Sequence, residues 1–413
     1  LAILIAHLLA GAANYWTLLR ETRLAFPFFP KPFYTFMPVP VDGEKRGALG
    51  ADFSQVYHSA AALTAGDSAY QPRDPAFRDR FGRQPNYPPL TNHLYMPLSL
   101  LPYRDALMVH VLGIQVLLAG LTFWVLSKLG HRQRSPLAIV TNLMLVALTS
   151  VGFAQLERGQ FDLVVAASYL LIMGALYAGR AATGFAVAAA FLGALKWTSA
   201  PLLLAISFVA LAASAPLRRK LTFYLVPLVL VSSALVFARD LPEYWVSLRH
   251  WELEVVPLEI SLEQFLPAVV VKGMAVLCTL GFALLCWWRG RRGADGTKIL
   301  QAAVVPFAIG LGIMMLWLPK MAYEYRMATL LGLLPILMVW LDRGLVSIRL
   351  RQATAFLFGL FCLVAFRVLD LNGTLLSSPQ MLFLYIPTAF AFLGLAGYIV
   401  LKTEALSASS EPA

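Results

Sequence analysis

The chain has 413 residues, 59% of them hydrophobic and only 13% charged, with a mean hydropathy of +0.70. Repeated apolar runs near the 18-residue spanning threshold exclude an ordinary soluble domain and read as a polytopic, all-α membrane protein. The formal net charge of +11 does not point to nucleic acid, because Lys and Arg fall in short clusters between apolar runs, as they do in cytoplasmic loops.

In chain order the apolar runs predict about twelve spans, at residues 1–19, 105–127, 136–156, 161–178, 183–195, 199–215, 221–238, 267–288, 299–318, 327–342, 352–370 and 380–401. The chain opens "LAILIAHLLAGAANYWTLL" without Met or a basic n-region, so the sequence leaves its natural start open and supports no signal-peptide reading. Basic clusters then alternate in side. Lys128 with Arg132 and Arg134, Arg180, Arg218 to Lys220, Arg289 to Arg292, Arg343 to Arg351 and Lys402 fall on one side, which the charge rule makes cytoplasmic, together with both termini. Residues 1–403 read as one integral membrane domain in the cell membrane. Residues 404–413, in "EALSASSEPA", read as a disordered cytoplasmic tail.

Residues 20–103 form a long extracytoplasmic loop. Its proline and aromatic run, "FPFFPKPFYTFMPVP", suits the headgroup level. Residues Phe53 to Thr64, and then "LTNHLYMPLSLLP", are predicted to be interfacial helices. Asp52 stands just ahead of the first. As an N-cap it would bond free amides; as a general base at the membrane surface it would have its pKa raised by partial desolvation.

Lys196 interrupts the apolar stretch "TGFAVAAAFLGALKWTSAPLLLAISF". A lysine there either snorkels from a helix end or offers a point charge to an anion such as phosphate. "QLERGQFDL" packs Glu157, Arg158, Gln160 and Asp162 into one outward turn, either an ordinary polar loop with Asp162 as a cap or part of a site. "LPKMAYEYRMATLL" places Lys320, Glu324, Tyr325 and Arg326 in another, where the cations could contact phosphate and Glu324 could pair with either. Tyr87, before two prolines, could stack on a sugar or anchor at the interface. All these candidates share the extracytoplasmic side.

The cysteines, Cys278, Cys286 and Cys362, lack the spacing of a metal or redox site, and the six histidines form no ligand motif. No cofactor or metal site is indicated, although a divalent ion held by carboxylate and substrate phosphate is chemically possible.

The order of "ADFSQVYHSAAALTAGDSAYQP", "PNYPPLTNHLYMPLSLLP", "ERGQFDLVVAASYLLI" and "GFAVAAAFLGALKWTSAPLLL" over residues 50–205 resembles the polyprenol-phosphate-sugar-dependent glycosyltransferases of family 87, a group of GT-C architecture that includes α-mannosyltransferases. The resemblance implies an integral membrane glycosyltransferase. Its donor would be a polyprenyl-phosphate sugar, expected to be mannose, and its acceptor a lipid or glycan. Asp52 would be the catalytic base, and Lys196, with Arg326 or Lys320, would hold the donor phosphate. Tyr57, His58, Tyr87, Arg158, Gln160, Asp162, Glu324 and Tyr325 would bind substrate. Two departures stand out: Asp162 replaces the Asn of the family's G-Q-x-N turn, and "LPKMAYEYRM" stands where mannosyl members often carry paired histidines, which bears on the sugar. A polymerase or ligase using a lipid-diphosphate donor shares the same outward chemistry. A transporter or flippase would call for repeats that the sequence lacks.

Overall fold

Apolar runs punctuated by Pro and Gly fold as a chain of helices in a computed structural model. It describes residues 39–41, 44–46, 50–79, 82–149, 155, 158–213, 217–254, 258–259, 261–317, 321–322, 324–366 and 378–408. The segment before the first long helix carries α1 (Ala51–Thr64) and α2 (Pro89–Leu94), followed by α3 (Tyr103–Lys128) and α4 (Ser135–Leu148). Four apolar helices follow: α5 (Asp162–Tyr177), α6 (Ala182–Leu195), α7 (Ala200–Ala212) and α8 (Leu217–Leu235). The rest is α9 (Leu241–Glu254), α10 (Ala268–Arg291), α11 (Gly296–Trp317), a 3-10 segment Glu324–Gly332, α12 (Leu334–Asp342), α13 (Ile348–Ala365) and α14 (Ser378–Ala408). Proline stands in the first turn of α2, α4, α7 and α12, where its missing N–H costs nothing and its fixed φ suits a helix start. Two short strand pairings are added in the loops, Val39–Val41 with Glu44–Arg46 and Leu258–Glu259 with Met321–Ala322.

Among the described residues, five helices are long and apolar enough to cross a membrane: α3, α10, α11, α13 and the Leu382–Lys402 part of α14. The predicted spans over 161–238 appear as shorter apolar helices, Asp162–Tyr177, Ala182–Leu195, Trp197–Ala212 and Lys220–Leu235. The predicted span 327–342 divides into the 3-10 segment and α12, because Gly332 weakens helix and Pro335 begins a new one. Residues 1–19 lie outside the described residues. Helix α14 runs to Ala408, into the tail expected to be disordered, since Glu, Ala and Leu favour helix.

Helix α5 is buried along its whole length, and α11 nearly so, so these two form the centre of the bundle. Close approach there depends on glycine. A Cβ on Gly310 of α11 would come within 2.8 Å of the Ala389 carbonyl oxygen on α14, and a Cβ on Gly332 would overlap the backbone carbonyl of Ala166 on α5. The neighbour at Gly332 is backbone and cannot swing aside. Gly332→Ala is therefore expected to cost about 3 kcal/mol, the upper end for overpacking, read as a lowered unfolding midpoint in detergent.

The two ends of the bundle differ. At one end Arg134 and His131 hold Asp342 at 2.7 and 3.2 Å, and guanidiniums lie over aromatic rings: Arg343 over Tyr177 at 5.2 Å, Arg291 over Trp287 at 5.1 Å and Arg292 over Trp288 at 4.0 Å. Cations seated on rings at helix ends suit a membrane–water boundary. Tyr177 is the last residue of α5 and Asp162 the first, so about 24 Å of helix separates that end from the one described next.

At that other end the first half of α1 is packed into the protein more deeply than its amphipathic spacing predicts. Residues 51–56 are all buried, because Phe53 packs against Tyr57, Tyr95, Tyr103 and His110. Helix α9, unmarked in the sequence reading, docks on the segment that carries α1 and α2. His93 pairs with Asp240 at 2.8 Å, Ser68 donates to Glu243, Ser247 donates to the Pro85 carbonyl, and Tyr244 lies between Tyr70 and Trp197.

Candidate functional site

Helix α1 starts abruptly at Gly50, whose φ of 68° lies in the left-handed region. Its carbonyl accepts from Tyr103 Oη at 2.9 Å, and an added Cβ would strike Tyr103 and Leu107. Gly50 therefore takes the cap position, and Asp52 falls in the first turn with no capping bond, contrary to the cap reading. The positive end of the helix dipole still favours its charge.

The Asp52 carboxylate is instead held from two directions. Arg158 Nε donates to Oδ2 at 2.6 Å and Arg158 Nη2 to Oδ1 at 3.3 Å; Gln160 Nε2 also donates to Oδ2. From the loop before α2, Arg83 Nη1 reaches Oδ1 at 3.3 Å, while its Nε is fixed on Asp79 at 3.0 Å and its Nη2 on the Ala51 carbonyl.

Arg158 and Gln160 flank Gly159, another left-handed glycine with φ 62°. A Cβ there would lie 2.7 Å from Phe53 Cβ, so no larger residue fits the turn. His110 of α3 secures it. Its Nε2 lies 3.0 Å from the Gly159 carbonyl oxygen, which only accepts, so Nε2 carries the proton and Nδ1 accepts from Tyr95 Oη at 2.7 Å.

Lys196 sits between α6 and the turn leading into α7. It donates to Asp162 Oδ1 at 2.6 Å and to Gln160 Oε1 at 2.9 Å, with the Tyr87 ring 6.0 Å away. Gln155 Nε2 supports the other oxygen of Asp162 at 3.2 Å. Asp162 is the first residue of α5, and its carboxylate serves Lys196 and Gln155; the expectation that it caps the helix does not hold. Snorkelling is likewise displaced, since the Lys196 side chain is only 12% exposed and points to a buried acid.

Burial alone would raise the Asp52 pKa, as the sequence reading expected. The Arg158 and Arg83 charges, the Arg158 hydrogen bond and Lys196 outweigh it, and the carboxyl is held below its ordinary value. The correction is chemical: Asp52 is a fully ionised, cation-clamped carboxylate. Burial pulls the Lys196 ammonium below the usual lysine value; Asp162 opposes this, while Arg326 adds to it.

Of the other expected residues, Arg326 acts electrostatically on Lys196 and Tyr169, without an ion pair among the described residues. Tyr87 is buried against Phe161, so it neither anchors at the interface nor presents an open face. Tyr57 and His58 do not join the cluster. They lie well around α1 from Asp52; Tyr57 donates to the Leu101 carbonyl at 2.7 Å and His58 stacks on Tyr103. Lys320, Glu157 and the side chains of Glu324 and Tyr325 lie outside the described residues. Arg83, Asp79, Gln155 and His110 were missed. Only His110, a histidine within an apolar span, carried a signal.

Four cations (Arg83, Arg158, Lys196, Arg326) thus meet three carboxylates (Asp52, Asp79, Asp162), leaving one positive charge over among the described residues. The carboxylates are separated by the cations that pair with them, and no three metal-ligating side chains converge among the described residues. The arrangement can bind an anion beside an ionised base. Comparison with protein-family models, curated proteins and solved structures finds no match to this chain.

Proposed function

We propose that the protein is an integral membrane glycosyltransferase of GT-C type with about twelve spans. It moves a sugar, mannose in our reading, from a polyprenyl-phosphate donor to a lipid or glycan acceptor on the extracytoplasmic side of the cell membrane. One observation carries the reading: an ionised carboxylate, Asp52, and an ammonium, Lys196, share a single amide in a cluster where cations outnumber carboxylates among the described residues. The sequence resemblance over residues 50–205 supports the donor class, and the alternating basic clusters support the orientation, with both termini in the cytoplasm.

In this reading the acceptor hydroxyl attacks the anomeric carbon and passes its proton to Asp52. The bond from that carbon to the phosphate oxygen breaks, and its electron pair leaves on the phosphate, which Lys196 and Arg326 receive. A single displacement inverts the anomeric centre and needs no second carboxylate as nucleophile. Arg158 has a part at both ends of the cycle. A donor phosphate competes with Asp52 for its guanidinium, and charge drawn away from Asp52 raises the basicity of the carboxylate. The Arg83–Asp79 pair stays behind to hold the α1 terminus.

Purified protein given labelled polyprenyl-phosphate mannose and a membrane lipid extract should pass label to a new product. Label that remains wholly on the donor, across lipid and glycan acceptors, would contradict the reading.

A further inference from the structure

We propose that Gln160 is the positioning residue of this site: its amide ties the base to the cation, so that Asp52 and Lys196 are set as one unit. The roles of the two ends rest on the transfer reading; the tie itself rests on geometry.

Gln160 is buried, at 3% exposure, and its backbone N–H donates to the Gln155 carbonyl at 3.0 Å. It was expected to bind substrate, yet both ends of its side chain are already engaged. Its Nε2 donates to Asp52 Oδ2, and its Oε1 accepts from Lys196 at 2.9 Å. Chemistry fixes this orientation, because an ammonium only donates and an ionised carboxylate only accepts. A flipped amide would set carbonyl against carboxylate and NH2 against ammonium. The planar amide therefore fixes the spacing of base and cation through one side chain.

The tie also sorts the atoms at each end. Asp52 Oδ2 is taken by Gln160 and by Arg158 Nε at 2.6 Å, whereas Oδ1 has contacts only at 3.3 Å, longer than a good N–H···O bond. Oδ1 is thus the oxygen left to take the acceptor's proton. Lys196 spends two of its three N–H donors, on Gln160 and Asp162, and the third is left for a phosphate oxygen.

Among the described residues the charged groups acting on Asp52 are Arg158 from the Gly159 turn, Arg83 from the loop before α2 and Lys196 from the α6–α7 junction; Asp79 pairs with Arg83, and Asp162 of α5 and Arg326 of the 3-10 segment act on Lys196. None is altered by a change at Gln160. Gln160→Met keeps the length and removes both bonds. Gln160→Glu keeps an acceptor for Lys196 but replaces the donor facing Asp52 with a second carboxylate. Losing a hydrogen bond to the charged form raises a carboxyl pKa, and a like charge raises it further.

The test is carbodiimide labelling of Asp52 in the purified full chain, followed by mass spectrometry across pH, since carbodiimides attack the protonated carboxyl. The labelling midpoint should move to higher pH in Gln160→Met and further in Gln160→Glu, with about tenfold more protonated Asp52 at a fixed pH for each unit moved. In transfer assays kcat should fall about 100-fold, as for a misplaced reacting group, with donor KM nearly unchanged and the acid limb displaced upward. A residue that merely supports the fold would lower the yield of folded protein and leave the midpoint at its wild-type position, and that result would overturn the proposal. If the midpoint moves while wild type transfers no sugar, the tie stands and the transfer reading fails.

Discussion

Asp52→Asn is expected to lower kcat for sugar transfer by about 10²–10⁴-fold, the range for loss of a general base, with donor binding retained. Asn is nearly isosteric and can still accept from Arg158 or Arg83, so the turn at Gly159 and the α1 terminus should persist. A stability change accompanies the loss. The Asp52 pKa is held below its unfolded value, so its stabilising contribution is fully present above the ordinary carboxylate range and disappears as pH falls through the folded value. Wild type should therefore unfold at a higher temperature than Asp52→Asn at neutral pH, and the gap should close in acid. Calorimetry at two pH values measures this. An Asn variant that transfers sugar as fast as wild type would remove Asp52 from the role of base.

Lys196→Met should be lost in two separable ways. Removing the ammonium leaves the Asp162 carboxyl buried without its 2.6 Å partner, and breaking a buried pair from one side costs about 3–5 kcal/mol. It should also abolish stabilisation of the departing phosphate. The double variant Lys196→Met with Asp162→Asn separates the effects. With the stranded carboxyl removed, thermal stability should return most of the way, while transfer stays at the level of the single variant. Activity that recovered along with stability would make Lys196 a structural counter-ion only.

The helical architecture, with helices long and apolar enough to cross a membrane, was legible because apolar runs and the prolines that open helices are local signals. Fine divisions were not: Gly332 and Pro335 split one apolar run because of a backbone contact with Ala166, which no local pattern records. Similarly, Phe53 to Thr64 has the spacing of an interfacial helix, and that spacing does not record that Phe53 packs on Tyr95, Tyr103 and His110 and buries the first half of the helix.

At the site, Asp52, Arg158, Gln160, Asp162 and Lys196 stood out as charged or polar residues beside apolar segments, and they do converge. Their roles were less readable. Whether Asp52 would be desolvated or clamped depended first on its pairing with Arg158, 106 residues away in the chain, and then on Arg83, which in sequence is one basic residue among several in a polar loop. Gln160 looked like one more polar loop residue until both ends of its amide had partners. Asp162, where the resembling family has Asn, acquires a reason: it supplies the countercharge for a lysine buried beside a further cation, Arg326.

The central claim is that a sugar leaves a polyprenyl monophosphate carrier, and the carrier released reports it directly. In right-side-out proteoliposomes supplied with labelled donor in the outer leaflet, wild type should release one polyprenyl phosphate for each sugar transferred, with the anomeric configuration inverted in the product. Transfer that occurs only with a lipid-diphosphate sugar and releases polyprenyl diphosphate would contradict the account and favour a polymerase or ligase.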